Sequence, residues 1–194
     1  MNAQVTRSDL LSLDEYEAKR VDMRKSVLDI KKPRKIAIGA AVTLLFENRD
    51  TVLYQIQEML RIERTTEEAG IEDELAAYNP LIPDGDNWKA TMLIEYPDAE
   101  ERKVQLKYLK DVEHNVYAEI AGTRVVALAD EDMERSNDEK TSSVHFLRFQ
   151  LDNELVKALR NGASLAFGID HPYYNFNIDI SGTESASSLT GDLS

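Results

Sequence analysis

Cysteine is absent from this chain of 194 residues. Its absence excludes disulfides, thiolate-ligated metal sites, cysteine-ligated iron–sulfur clusters and a cysteine nucleophile. Histidine is scarce, since only His114, His145 and His171 occur in the sequence. Any imidazole chemistry must therefore use one of three side chains.

Long hydrophobic runs are also missing. No apolar stretch approaches the roughly 20 residues that span a bilayer, and the N-terminal segment lacks the basic start and apolar centre of a signal peptide. The glycine-rich phosphate loops GxGxxG and GxxxxGK[ST] do not occur, and neither does the GxSxG nucleophile motif. We therefore predict a cytoplasmic protein without a membrane span.

Positive charge is in short supply, because 23 Lys and Arg face 36 Asp and Glu, for a net charge of −13. Residues 1–35 hold 9 Lys and Arg against 6 Asp and Glu, which leaves 14 against 30 for the rest of the chain. The rest of the chain is therefore strongly acidic. An acidic surface repels nucleic-acid phosphates, which leaves only the short basic run Lys31–Lys35 for such contacts. We expect no nucleic-acid partner.

The patterns that are present predict a single α+β domain over residues 1–180. Ser12 starts a capping box and a helix to about Ile30, and residues 35–47 are typical of one or two strands turning near Gly39. Asn48 caps a second helix, and a third follows near residue 66. Strands dominate after residue 87, which favours N-terminal helices packed on a mainly antiparallel sheet. The Ser- and Gly-rich residues 181–194 are predicted to be disordered.

The second helix has a polar face of unusual composition. A solvated face usually carries interchangeable Lys and Glu, whereas this one carries a more varied set. Its members, with the residue that starts the helix, are Arg49, Asp50, Tyr54, Glu58 and Arg61. Arginine suits bidentate recognition of carboxylate or phosphate, so this face is predicted to bind a partner protein or a small anionic ligand. The alternative is a set of ion pairs within the face itself.

A metal site is the second hypothesis. His145 shares a strand face with Leu147 and Phe149, and His171 is likewise in phase with apolar neighbours. Two such His with the carboxylate of Glu58 would form a two-His-one-carboxylate site for iron, manganese or zinc. No HxH or ExxH spacing brings these ligands together, so the alternative is that each His bonds a backbone or tyrosine group. His114 and the acidic run 130–140 are predicted to be exposed.

Four segments resemble a bacterial family known as DUF3501, a domain of unknown function. They are "AAVTLLFENRDTVLYQIQEMLR", "AYNPLIP", "SSVHFLRFQL" and "DHPYY", and the likeness extends from Leu10 to Tyr174. The resemblance implies a redox or oxidative-stress setting, because members tend to be encoded beside rubrerythrin-like di-iron proteins and iron–sulfur oxidoreductases. It carries over no residue roles.

These observations favour an accessory or binding protein of a redox module, whose partner is a rubrerythrin-like protein or an iron–sulfur oxidoreductase. The alternative is a mononuclear metal-binding protein or metalloenzyme. The apolar stripe of the first helix, with Met23, Val27 and Ile30 interrupted by Arg20, exceeds what one monomer covers. We therefore also expect a homodimer.

Overall fold

The computed structural model describes residues 4–131, 135–137 and 139–194. This part of the chain forms six α-helices and two antiparallel sheets, which confirms the α+β fold class. The helices are α1 (Leu13–Lys31), α2 (Arg49–Glu63), α3 (Glu68–Tyr78), α4 (Ala99–Tyr108), α5 (Asn153–Arg160) and α6 (Glu184–Thr190). The strands are β1 (Lys35–Ile38), β2 (Val42–Phe46), β3 (Asn87–Ile94), β4 (Val116–Ile120), β5 (Thr123–Val126), β6 (Leu128–Ala129), β7 (Val144–Gln150), β8 (Leu165–His171) and β9 (Tyr174–Asp179). No helix of the described ranges combines the length and apolarity needed to cross a bilayer.

The two sheets share one hydrophobic core. Sheet 1 has the strand order β1-β2-β3-β7-β6, and sheet 2 has the order β5-β4-β8-β9. Four aromatic rings from both sheets meet in the core, with centroids 5.0 to 6.4 Å apart, namely Phe46, Trp88, Phe149 and Phe167. The strands alternate between this core and an outer face, so the side chains of sheet 1 at alternate positions face away from sheet 2.

The N-terminal helices form a second, smaller core. Apolar residues of α2 and α3 pack with Val5 and Leu10 of the N-terminal segment. The helix α2 begins as its sequence predicts, because the Asn48 side chain accepts a hydrogen bond from the backbone N–H of Thr51 at 3.0 Å. The end of α3 and the turn that follows it face the outer side of sheet 1 across a cleft.

The predicted disorder of residues 181–194 is wrong, because this segment contains α6 and packs into the main core. Leu189 and Leu193 are buried, and they belong to the same cluster as Trp88. The Trp88 indole N–H donates to the Leu189 carbonyl at 2.8 Å. Two leucines four residues apart supply the apolar contacts of this segment, although its composition is otherwise that of a flexible tail.

An ion pair also anchors this C-terminal segment. The Arg34 guanidinium, which is 2% exposed, donates to both carboxylate oxygens of Asp192, at 2.5 and 3.3 Å. It also donates to the backbone carbonyls of Phe46 and Glu47, at 3.1 and 2.8 Å. One cation of the basic run Lys31–Lys35 is therefore internal and cannot contact a nucleic acid.

Candidate functional site

One buried cluster of metal-ligating side chains lies at the end of sheet 1. Glu113 comes from the 3-10 turn Val112–Asn115, Asp130 follows β6, and His145 is the second residue of β7. One ligand atom from each of these three residues lies within 4.8 Å of the others. Among the residues that the structure describes, this is the one group of three or more such side chains.

Asp130 holds the His145 ring in position. Its Oδ2 lies 2.5 Å from Nδ1 of His145, and its Oδ1 accepts the backbone N–H of Phe146 at 2.9 Å. The backbone of Asp130 has a φ of 49°, in the left-handed region, and its N–H donates to the Phe146 carbonyl at 2.8 Å. The Arg135 guanidinium contacts the same carboxylate at 3.2 Å and lies over the Phe146 ring. Several independent contacts thus fix this carboxylate.

The other ring nitrogen of His145 faces Thr141 and Glu113. Nε2 lies 2.8 Å from Oγ1 of Thr141 and 3.8 Å from Oε2 of Glu113. The Thr141 hydroxyl donates to that same Oε2 at 2.9 Å, and the Ser136 hydroxyl bonds Oε1. These groups are enclosed, because Thr141, Glu113 and His145 are each 2% exposed or less.

Solvent reaches the edge of this cluster at His114. The His114 side chain is 63% exposed, as the sequence predicts, and its Nε2 lies 4.0 Å from Oε1 of Glu113. The neighbouring Glu113 is buried although both residues lie in one short turn. His114 therefore lies between the buried carboxylate and bulk water.

The predicted combination of His145, His171 and Glu58 is not brought together. Both His are buried as their strand phases predict, but His171 bonds to backbone groups. Its Nε2 donates to the Lys110 carbonyl at 3.0 Å, and its Nδ1 accepts the N–H of Tyr173 at 3.3 Å. Glu58 lies on α2 in the helical layer, whereas His145 points into the core of the two sheets.

Much of the polar face of α2 contacts other parts of the same chain. Glu58 accepts two hydrogen bonds from Arg20 of α1, at 2.7 and 3.0 Å, and one from the Tyr16 hydroxyl at 2.6 Å. The bonds from Arg20, followed by those from Tyr16 and Arg61, lower the pKa of Glu58 to about 2 against the effect of burial. Arg49 pairs with Asp9 of the N-terminal segment at 2.7 Å.

Asp50 and Tyr54 differ from the rest of this face. They line a groove of about 460 Å³ between α1 and α2, together with Lys19, Met23 and Ile30. Neither side chain forms a hydrogen bond or an ion pair with the described residues. The predicted contact face is therefore divided into an internal part at Arg49, Glu58 and Arg61 and an open part at these two residues.

Two members of the buried cluster have no sequence signal that distinguishes them. Glu113 lies in "DVEH", which is typical of an exposed helix end, and Asp130 starts an acidic run that is predicted to be a solvated loop. That prediction is wrong for Asp130, whose side chain is 7% exposed, and residues 132–134 and 138 of the run lie outside the described residues. Only the burial of His145 indicates that a partner must lie nearby.

Comparison with known proteins found a matching family model and a similar solved structure. The chain is similar to the crystal structure of a novel protein of unknown function from Burkholderia pseudomallei K96243, with a TM-score of 0.91 and 44% sequence identity. The match covers 99% of this chain and 100% of that chain. None of the curated proteins matches this sequence. The family model described as "Protein of unknown function (DUF3501)" matches residues 4–193, and the chain therefore belongs to the DUF3501 family.

Proposed function

We propose that this protein binds a divalent ion of iron, manganese or zinc between Glu113 and His145. The observation that carries the proposal is the enclosed set of one imidazole and two carboxylates at the end of sheet 1. Imidazole and carboxylate ligands suit these ions, and the absence of cysteine excludes a thiolate site. We further propose that the ion serves a cytoplasmic redox module.

The distances support an ion between these two ligands. Donor atoms about 2.0 to 2.2 Å from a tetrahedral ion lie about 3.4 Å from each other. Nε2 of His145 and Oε2 of Glu113 are 3.8 Å apart, so a shift of a few tenths of an ångström brings both within bonding distance. The Thr141 hydroxyl, 2.8 and 2.9 Å from these atoms, would either move aside or become a third ligand.

Asp130 would act through His145. Its Oδ2 is 2.5 Å from Nδ1 of the imidazole, which is too close for two ligands of one ion and is a hydrogen-bond distance. A carboxylate bonded to the remote nitrogen of a metal-ligating His fixes the ring and makes the free nitrogen more basic. Asp130 is therefore a positioning residue, and it leaves Nε2 facing the Thr141 hydroxyl, the Ser142 carbonyl and Glu113.

The test is metal analysis of protein purified without chelators. We expect near-stoichiometric iron, manganese or zinc, and a melting temperature that falls after dialysis against EDTA and recovers when the ion returns. In Glu113→Gln and His145→Ala the return of the ion should no longer raise the melting temperature. This result is expected whether or not the substitution itself changes the melting temperature. The difference between chelated and reloaded samples of one variant separates metal binding from folding.

Glu119→Gln is the matched control, because Glu119 is a carboxylate on the partly exposed side of β4. It should retain the full metal-dependent shift. Metal-free protein that shows no thermal shift with Fe²⁺, Mn²⁺ or Zn²⁺ would refute the proposal. An equal shift in wild type and in His145→Ala would assign the ion to another part of the molecule.

A second candidate function is docking of a partner in the groove between α1 and α2. It is favoured by Asp50 and Tyr54, which line this groove without hydrogen-bonding partners among the described residues. The partner we propose is a rubrerythrin-like protein or an iron–sulfur oxidoreductase of the same cell, and a second copy of this chain is the alternative. Met23 and Ile30, which are partly exposed, would supply the apolar part of the contact.

Titration of the purified partner into this protein, followed by light scattering, tests the second candidate. Asp50→Asn and Tyr54→Ala should leave the melting temperature nearly unchanged and abolish the complex. Asp22→Asn is not a control, because Asp22 lines the same groove, so Asp14→Asn at the exposed start of α1 serves instead. A complex that survives both groove variants would refute docking at this site.

A further inference from the structure

A cleft of about 560 Å³ separates the outer face of sheet 1 from the helical layer. Its floor includes Thr91 of β3 and Phe146 of β7, which are directly paired across the two strands. Its wall is formed by the end of α3 and the turn that follows, including Tyr78 and Leu81. Clefts of this size between two packed units are usual places for small ligands.

We propose that this cleft binds a small organic cation with an aromatic ring, whose ring lies between Tyr78 and Phe146 and whose ammonium group faces Glu47. The proposal concerns a site separate from Glu113 and His145. Both aromatic residues are only partly buried and line the cleft from opposite sides. Arg135, which is paired with Asp130, lies over one face of Phe146, so the part of that ring that lines the cleft contacts the flat apolar ring of the ligand, and the Tyr78 face attracts its cation.

The two cations that line the cleft are already paired. Lys89 donates to the Ile82 carbonyl at 2.8 Å and contacts Asp84 at 2.9 Å. Arg148 forms two hydrogen bonds with Glu131, at 2.7 and 2.8 Å. Because these charges are neutralised within the protein, the cleft offers little attraction to an anionic ligand.

The hydrogen-bond acceptors that line the cleft have fewer partners within the protein than these two cations have. One oxygen of Glu47 accepts the Thr51 hydroxyl at 2.5 Å, and its other oxygen has no partner among the described residues. The hydroxyls of Tyr78 and Thr91 also have no hydrogen-bonding partner in this part of the chain. An ammonium group can donate three hydrogen bonds, and one carboxylate oxygen and two hydroxyls can accept them.

The Thr51 contact also fixes the direction of the Glu47 carboxylate. Thr51 is the third residue of α2, and its hydroxyl and backbone N–H are both held in the capping arrangement with Asn48. A carboxylate held by a helix start keeps its position before a ligand arrives, which lowers the cost of binding. The net charge of −13 further attracts a cation to the protein.

Three probes of one shape and different charge test the inference. They are tryptamine, tryptophol and indole-3-acetate, titrated by calorimetry with full-length protein. We expect tryptamine to bind at least about tenfold more tightly than the neutral alcohol, with the acetate weakest. Failure of tryptamine to bind, or a preference for the acetate, would overturn the proposal.

Two variants locate the site. Glu47→Gln should reduce tryptamine to the affinity of tryptophol, whereas Glu72→Gln, an equal charge change on the exposed side of α3, should leave the preference intact. Because Glu47→Gln also affects the start of α2, Thr91→Val on the strand provides an independent test and should weaken tryptamine several-fold. A preference retained in both Glu47→Gln and Thr91→Val would exclude this cleft.

Discussion

The guanidinium of Arg20 on α1 donates two hydrogen bonds to the carboxylate of Glu58 on α2, at 2.7 and 3.0 Å. Arg20 interrupts the apolar stripe of α1, and Glu58 lies on the polar face of α2. Each residue is unexpected within its own helix, and each is explained by the other. The polar face of α2 makes specific contacts, and at Glu58 the contacted residue belongs to the same chain.

The Arg20–Glu58 pair predicts a specific dependence of stability on pH. The pKa of Glu58 is about 2 in the folded protein against an ordinary value of 4.5. A carboxylate with a lowered pKa stabilises the fold above its unfolded pKa, and this stabilisation is lost as the pH falls from about 4.5 towards 2. After allowance for solvent screening, we expect Glu58→Gln to cost about 1 to 2 kcal/mol at pH 7.

The measurement is the free energy of unfolding by urea at pH 7, 4.5 and 3. Wild type and Glu58→Gln should converge as the pH falls, because protonation removes the charge that the variant lacks. Glu100→Gln is the control, since Glu100 forms an exposed pair with Lys103 on α4 and should follow wild type at each pH. A constant difference between wild type and Glu58→Gln would show that the charge is not the cause.

The Tyr174 hydroxyl supports the turn between β1 and β2. It donates to the Ile38 carbonyl at 2.6 Å and accepts the backbone N–H groups of Ala41 and Val42, at 2.9 and 3.1 Å. Tyr174→Phe leaves three buried backbone groups without this partner and should cost about 2 to 4 kcal/mol. Urea unfolding measures the loss, and Tyr173→Phe, at an exposed neighbour, should be neutral.

Because residues 181–194 pack into the core, substitutions in this segment are expected to lower stability, whereas substitutions in a disordered tail would not. Leu189→Ala should destabilise the protein by about 2 to 5 kcal/mol, because Leu189 is fully buried beside the aromatic core. Glu184→Gln, at the exposed start of α6, is the control and should change little. A Leu189→Ala variant as stable as wild type would mean that α6 does not contribute to the core in solution.

Asp130 is expected to affect metal affinity less than the two proposed ligands. Asp130→Asn should weaken binding by about 10- to 100-fold, since it disturbs the orientation of His145 without removing a ligand. Glu113→Gln should abolish binding in the same assay. Competition with a fluorescent zinc chelator measures both, and equal loss in the two variants would make Asp130 a direct ligand instead.

Local signals were sufficient to predict most elements. Side-chain caps at Ser12 and Asn48 mark the starts of α1 and α2, and Gly39, with a φ of 68°, marks the turn between β1 and β2. Each of these features depends on residues within a few positions of each other. Strand alternation likewise predicted that His145 is buried.

The candidate metal site depends on contacts that no local pattern records. The hydrogen bond between Thr141 and Glu113 joins residues 28 positions apart, and the left-handed turn at Asp130 has no glycine to mark it. The same holds for α6, which docks because Arg34 and Trp88 lie where it ends. Periodicity and composition do not predict contacts between residues that meet only after the chain has folded.

The hydrogen bond from Trp88 to the Leu189 carbonyl joins residues 101 positions apart, and it has a consequence for biosynthesis. The strand that carries Trp88 leaves the ribosome before α6 does, and the carbonyl that covers its indole follows 101 residues later. During translation the aromatic centre of the molecule is therefore open to water and to other chains. A polypeptide that lacks α6 would expose apolar surface at Trp88 and the rings beside it, and exposed apolar surface makes a chain prone to aggregation.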